Sequence, residues 1–187
     1  MSVDHFAIKA CRSMRDGDPL GALNDICGSV EATCALVYGK GGRQNYKRFV
    51  HENLPFITHF AFGGVGCENI NVPFSHRDVP QRPDGLCSVQ EVIYHVVRCG
   101  LYHKADLPSN LRFGDEFECR LDGTLVLPKS LVAGLILAVV VNPVHAGMTT
   151  RSEVSLTIDQ LCSLPIDKLW GRASELRHLW DALAPFR

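Results

Sequence analysis

Near the middle of the chain, the hexapeptide Arg98-Cys99-Gly100-Leu101-Tyr102-His103 places a permanent cation, a thiol, a phenol and an imidazole within six residues. Imidazole moves protons near neutral pH, and guanidinium is a planar, always-charged fork for phosphate or carboxylate oxygens. The residues before it read as a helix from Ser88 to about Leu101. Ser88-Val89-Gln90-Glu91 is a capping-box pattern, with serine at the N-cap and glutamate three residues on. On a straight α-helix stepping about 100° per residue, Val89, Val92, Ile93, Val96 and Gly100 form a core stripe. Glu91, Tyr94, His95, Arg98 and Tyr102 fall opposite. A wet helix face usually carries Lys, Glu, Gln and Ala. Aromatics mixed with ionisable groups point to a site or an interface, and a solvated face with tyrosines packed on a neighbouring loop is the plainer alternative.

Three other chemistries are weaker. His95, Cys99 and His103 recur at i, i+4 and i+8, but such a stripe drifts round the axis, so a tetrahedral metal site would need a further ligand from Cys67, Cys87 or His76. No metal and no cofactor is therefore expected. Cys99 with His103 has the make-up of a thiol–imidazole pair, yet no surrounding protease or redox signature accompanies it, and a packed thiol explains it better. Gly39-Lys40-Gly41-Gly42 and Gly63-Gly64-Val65-Gly66 lack phosphate-loop spacing and read as turns.

The elements that must hold this helix are mostly helical too. Residues 3–14 have helical apolar spacing. A second helix runs from Pro19 to about Tyr38, with Asp18 as N-cap, and ends at Gly39. A third covers Gln44 to about Glu52, with Pro55 marking a break or a restart. Residues 63–86 form a long Gly/Pro-rich loop, either functional or a surface excursion. Residues 106–113 read as a further polar loop. Two alternating stretches, Phe117–Leu121 and Thr124–Leu127, flank Asp122-Gly123, a two-residue hairpin signal. Ser130 is placed to cap the apolar run Leu131–Val141, which is too short for a bilayer span of about 20 residues and reads as a core helix. Val154–Ile158 alternates weakly, as a strand would. Ile166–Leu183 is amphipathic, with Trp170 and Trp180 as core or dimer anchors.

The 187 residues suit a single domain, 1–187, of mainly α class: a helical bundle with a small antiparallel β-hairpin. Nineteen Lys and Arg against 20 Asp and Glu give a net charge of −1, so any anion site must be local. Eight cysteines without a C-x-x-C pair, and a start without a continuous apolar run, lead to an expectation of reduced thiols, a cytoplasmic location and no membrane partner.

Arg98 and His103, separated by four residues at the end of an amphipathic helix, resemble the Arg-x(4–6)-His motif of HEPN domains. The resemblance covers this motif and its helical surroundings. It implies a HEPN-like bundle, a homodimer that brings two motif helices together, and metal-independent cleavage of RNA, as in phage-defence or toxin systems. In that reading His103 moves the 2′-OH proton, Arg98 binds the scissile phosphate, Tyr94 or Tyr102 orients the substrate, and Glu91 holds Arg98. His95 lies on the same face as a supporting residue. Two features depart from the family pattern: Cys99 follows the arginine where the family often has Asn or Asp, and the Asp122-Gly123 hairpin lies outside a minimal bundle. The alternative is a catalytically silent HEPN-like module for interaction or ligand binding.

Overall fold

A computed structural model describes residues 2–104, 107–150, 153–158, 162–176 and 178. The fold is mainly α, with small sheets of two or three strands. Helices α1 (Val3–Arg15), α2 (Pro19–Tyr38), α3 (Arg43–Glu52) and α4 (Leu54–Ala61) fill the N-terminal third. A continuous helical run, 89–104, crosses the middle. Helix α7 (Lys129–Val140) follows the central sheet.

The local chemistry explains the boundaries of α2. The Asp18 carboxylate accepts from the Gly21 amide at 2.8 Å, and Pro19 occupies the first turn, where its missing N–H costs nothing. Gly39 ends the helix in the left-handed conformation, at φ +77°. Between α3 and α4 the chain restarts at Leu54, with Pro55 in the first turn. Among the described residues α2 is the one helix long and apolar enough to cross a membrane by length and composition, and half of it is buried inside the protein. Its buried face, which includes Leu23, Ile26, Cys27 and Val30, meets α1 through the small side chains Ala7, Ala10 and Cys11.

Helix α7 is buried all round, as its unbroken apolar run requires. It packs on α4 so closely that a Cβ on Gly134 would lie 2.5 Å from the Ile57 carbonyl oxygen. Its start differs from expectation. The helix begins at Lys129 after Pro128, and the Ser130 hydroxyl donates to the Ala61 carbonyl at 2.8 Å instead of capping its own helix.

A hairpin forms at the expected place but with a three-residue turn instead of two: β4 (Glu118–Cys119) pairs antiparallel with β5 (Leu125–Pro128), the Arg120 amide donates to the Thr124 carbonyl at 2.9 Å, and Leu121, Asp122 and Gly123, the last at φ +82°, make the turn. Residues 106–113, read as a loop, instead yield β3 (Leu111–Gly114), which pairs parallel with β5. That places the fully buried β5 in the centre. The long loop 63–86 is tied down by β1 (Asn71–Val72) and β2 (Cys87–Ser88), and buries Val72, Phe74 and Val79. The strand expected near 154–158 is β6 (Ser155–Ile158), paired antiparallel with β7 (Cys162–Pro165). Beyond it the chain forms a 3₁₀ turn at Ile166–Lys168 and turns at Gly171, φ +73°, so no long helix starts at Ile166. Trp170 is buried in the core, while Trp180 lies outside the described residues.

Candidate functional site: a helix between two clefts

The run 89–104 consists of α5 (Val89–Val92), a π-helical segment (Ile93–Arg98) and α6 (Cys99–Lys104), with helical dihedrals at both junctions. Ser88 is the N-cap by backbone geometry, but its side chain makes no capping hydrogen bond. Gly100 does not end the helix, and Arg98 and His103 share one helical run. The side chains of Tyr102 and His103 lie outside the described residues.

The π segment changes which residues face together. Its hydrogen bonds span five residues rather than four, so one extra residue is accommodated. One residue is about 100° of rotation on a helix. Glu91 and Arg98, seven apart and nearly collinear on a straight α-helix, therefore separate to different sides. Glu91 turns towards α3, where its Oε1 accepts from the Lys47 ammonium at 2.8 Å. Its Oε2 lies 3.2 Å from His95 Nε2. Arg98 turns towards α2, with Nη2 3.7 Å from Glu31 Oε2. Glu31, not Glu91, is the carboxylate placed against Arg98. Only the tertiary fold brings it there, across 67 residues of sequence (98 minus 31).

Tyr94, read as a wet-face residue, is buried. Its ring packs edge-on against Tyr46 at 5.4 Å and carries the Arg98 guanidinium carbon 5.5 Å from its centroid. Val97, outside the expected stripe, is also buried, so the buried arc is wider than the straight-helix reading.

Arg98 Nη1 reaches towards Cys99 Sγ at 4.0 Å. Burial opposes the guanidinium charge, but the Cys99 thiol, Tyr94 and Glu31 together outweigh it and raise the pKa above its ordinary value. Arg98 is therefore a fixed cation. His95 is mostly buried, and desolvation first, then Arg43, holds its pKa below the ordinary value despite Glu91. The buried Cys27 thiol is pushed up to about 11 by desolvation, against the lowering influence of the Tyr46 hydroxyl, which donates to it at 3.2 Å.

 At about 11 this thiol is protonated at neutral pH and is not a nucleophile.

Two clefts flank the run. On the Arg98 side, a cavity of about 630 Å³ lies between α1, α2 and the π segment. Two charge pairs line it: Arg98 with Glu31, and Lys9 with the buried Asp25, whose Nζ and Oδ1 are 3.2 Å apart. Its apolar wall is Phe6, Ala32 and Ala35, and Gly28 faces Phe6 so closely that a Cβ there would lie 3.2 Å from the ring. On the Glu91 side, a second cavity of about 600 Å³ opens beneath the 63–86 loop. Among the described residues no group of three or more His, Cys, Asp or Glu side chains could hold a metal ion.

Fold and site together define a mainly α-helical protein whose central helix, broken by a π segment, divides a charge-paired cleft from a polar one. A family model described as Rv1289 matches residues 2–185, and the chain belongs to that family. No curated protein and no solved structure matches the chain.

Proposed function

We propose that this chain is a ligand-binding module whose site is the Arg98 cleft, and that its ligand is a small molecule carrying both a cationic and an anionic group. The observation that supports this is the pairing of charge along the cavity wall, Arg98 with Glu31 and Lys9 with Asp25. An ion of one sign entering the cleft meets a like charge beside each partner. A zwitterion meets one group of each sign and leaves no net charge buried, which limits the desolvation penalty. The apolar wall at Phe6, Ala32 and Ala35 suits a short apolar body between the charged ends. The net charge of −1 gives no broad field for a polyanion, which also supports a small ligand.

Calorimetric titration with the free amino acids as probes tests the proposal. Saturable binding that is lost in Arg98→Ala and weakened in Glu31→Gln is the expected result. Absence of binding across the set, or binding indifferent to both substitutions, overturns it.

A second reading, the metal-independent HEPN-like endoribonuclease, draws support from the helical backbone that continues through His103 and keeps Arg98 and His103 on one run, about 7.5 Å apart along the axis. In this reading the active species is a cytoplasmic homodimer acting on RNA. Cleavage of labelled total RNA in excess EDTA, lost in His103→Ala at unchanged fold and oligomeric state, would favour it over the binding module. Intact RNA beside amino-acid binding would decide for the module.

A further inference from the structure

The two charge pairs of the Arg98 cleft stand at different points along α2, and their spacing sets the length of what fits. Asp25 and Glu31 both project from this helix, six residues and so about 9 Å apart along its axis. Gly28 is three residues from each and lies midway between them, so no α2 side chain stands in the gap. The Phe6 ring of α1 lies over Gly28, where a Cβ would come within 3.2 Å of it. Lys9, three residues on from Phe6, shares its face of α1. The cleft is thus a trough with a charge pair at each end and a ring beside bare helix between them.

The two members of the Asp25 pair are held with very different firmness. Asp25 is built in, with its side chain only 9% accessible. Lys9 is 57% accessible, and its ammonium stands at the end of a flexible stem. An incoming ammonium can take its place on Asp25 while Lys9 moves into water. One cation replaces another, so the buried carboxylate is never left unpaired. An incoming carboxylate has no such exchange at this end. It would lie beside Asp25 or follow Lys9 into solvent, where pairing is worth little. At the other end the permanent cation of Arg98 suits a carboxylate.

The α-ammonium and α-carboxylate of an amino acid sit on one carbon, so together they serve only one end of a trough this long. With the α groups at Arg98 and Glu31, the side chain must carry a cation to Asp25. A four-carbon stem ending in an ammonium, with a hydrogen bond of about 2.8 Å at its tip, suits a gap of about 9 Å. Its methylenes would lie along the Phe6 ring. On the ligand-binding reading of this cleft, which this inference rests on and deepens, we propose that the ligand is an amino acid with a long cationic side chain, of the lysine type, and that Asp25 is the residue that selects it.

Calorimetric titration of the full chain with L-lysine, L-norleucine and L-glutamate tests it. Norleucine keeps the α groups and the four-carbon stem and lacks only the ammonium. Lysine should bind at least about tenfold more tightly than norleucine, as for one hydrogen bond to a charged group. In Asp25→Asn, which keeps the side-chain shape, the two affinities should converge. Lys9→Ala removes the ammonium that lysine must displace, so it should strengthen lysine binding and leave norleucine unchanged, a gain that a merely structural Lys9 would not give. This surface substitution carries the test if circular dichroism shows Asp25→Asn to be unfolded. Equal affinity for lysine and norleucine in the parent chain overturns the proposal. So does tighter binding of glutamate, a lysine preference that survives in folded Asp25→Asn, or a lysine affinity that does not rise in Lys9→Ala. If binding in those cases is still lost in Arg98→Ala, the cleft remains a ligand site and only the assigned selectivity fails. Absence of binding by every probe overturns both.

Discussion

Arg98 shows how a residue of fixed chemistry can be legible in sequence while its partner is not. Its ion pair with Glu31 is partly exposed, with side chains 22% and 33% accessible, and the 3.7 Å separation is loose. Solvent screening limits such a pair to about 1 kcal/mol or less. Arg98→Ala should therefore lower stability by only about 1 kcal/mol in chemical denaturation while abolishing amino-acid binding. A loss several times larger would mean that Arg98 is chiefly structural.

His145 allows a sharper test at the same scale. It is buried, its Nε2 lies 3.0 Å from the Thr33 hydroxyl, and its ring packs edge-on against Trp170 at 5.8 Å. The Thr33 hydroxyl already donates to the Ser29 carbonyl, so the imidazole donates to it through Nε2–H and is neutral. Desolvation lowers its pKa from the ordinary value of 6.5. Between the two values the unfolded chain holds a proton that the folded chain does not. The stabilisation is thus fully present above the unfolded value of about 6.5 and is lost as pH falls below it. Denaturation midpoints should decline on acidification through this window, and His145→Gln should show a shallower decline. An identical slope in the variant would assign the acid sensitivity to other groups, of which His95, also depressed, is the first to test.

Among the elements, α7 and the π segment set opposite limits. A Cβ on Gly134 would meet the Ile57 carbonyl, a backbone atom that cannot swing aside as a side chain tip could. Gly134→Ala should accordingly destabilise by about 1–3 kcal/mol, despite the higher helix propensity of alanine. A stabilised variant would show that α4 and α7 can move apart at little cost. In native-state hydrogen exchange, the amides of α7 should exchange only by near-global opening, while those of Ile93–Arg98 exchange faster, because the segment lies between two open clefts and bonds in the less common i to i+5 pattern. The same contrast explains what could be read from sequence. Asp18, Pro19 and Gly39 act on their own neighbours, so both ends of α2 were legible, and the apolar run of α7 implied burial. Asp122-Gly123 likewise marked its hairpin. The π segment has no such signature, and its one extra residue parts Arg98 from Glu91, while Tyr94 is covered by Tyr46 of α3, a contact distant in sequence. The parallel pairing of β3 with β5, the use of Ser130 by Ala61 and the place of Glu31 are all long-range contacts, which spacing along the chain does not encode.

For the whole molecule, the distribution of thiols gives a test that no single element can. Cys11, Cys27, Cys34 and Cys87 are buried, Cys67 and Cys99 are half-buried, and Cys119 is exposed, and all seven are unpaired. Cys11 and Cys34 are each pushed up to about 12 by burial, so neither supplies thiolate near neutral pH. Reaction with a thiol reagent requires both thiolate and access. Under native conditions the reagent should modify Cys119 first and Cys67 and Cys99 more slowly, while the buried four react only as the core opens. Their protection should then report global stability, since they sit on α1, α2 and the β1–β2 pair that together enclose the core. Peptide mapping by mass spectrometry after a timed pulse distinguishes the sites. Early modification of Cys27 or Cys34, which lie on the same helix as Glu31, would mean that α2 opens independently of the rest and that the Arg98 cleft is not held ready for a ligand. Protection of both, matched to the exchange of α7 amides, would mean that α2 and α7 open as one cooperative body, with the cleft wall formed before any ligand arrives.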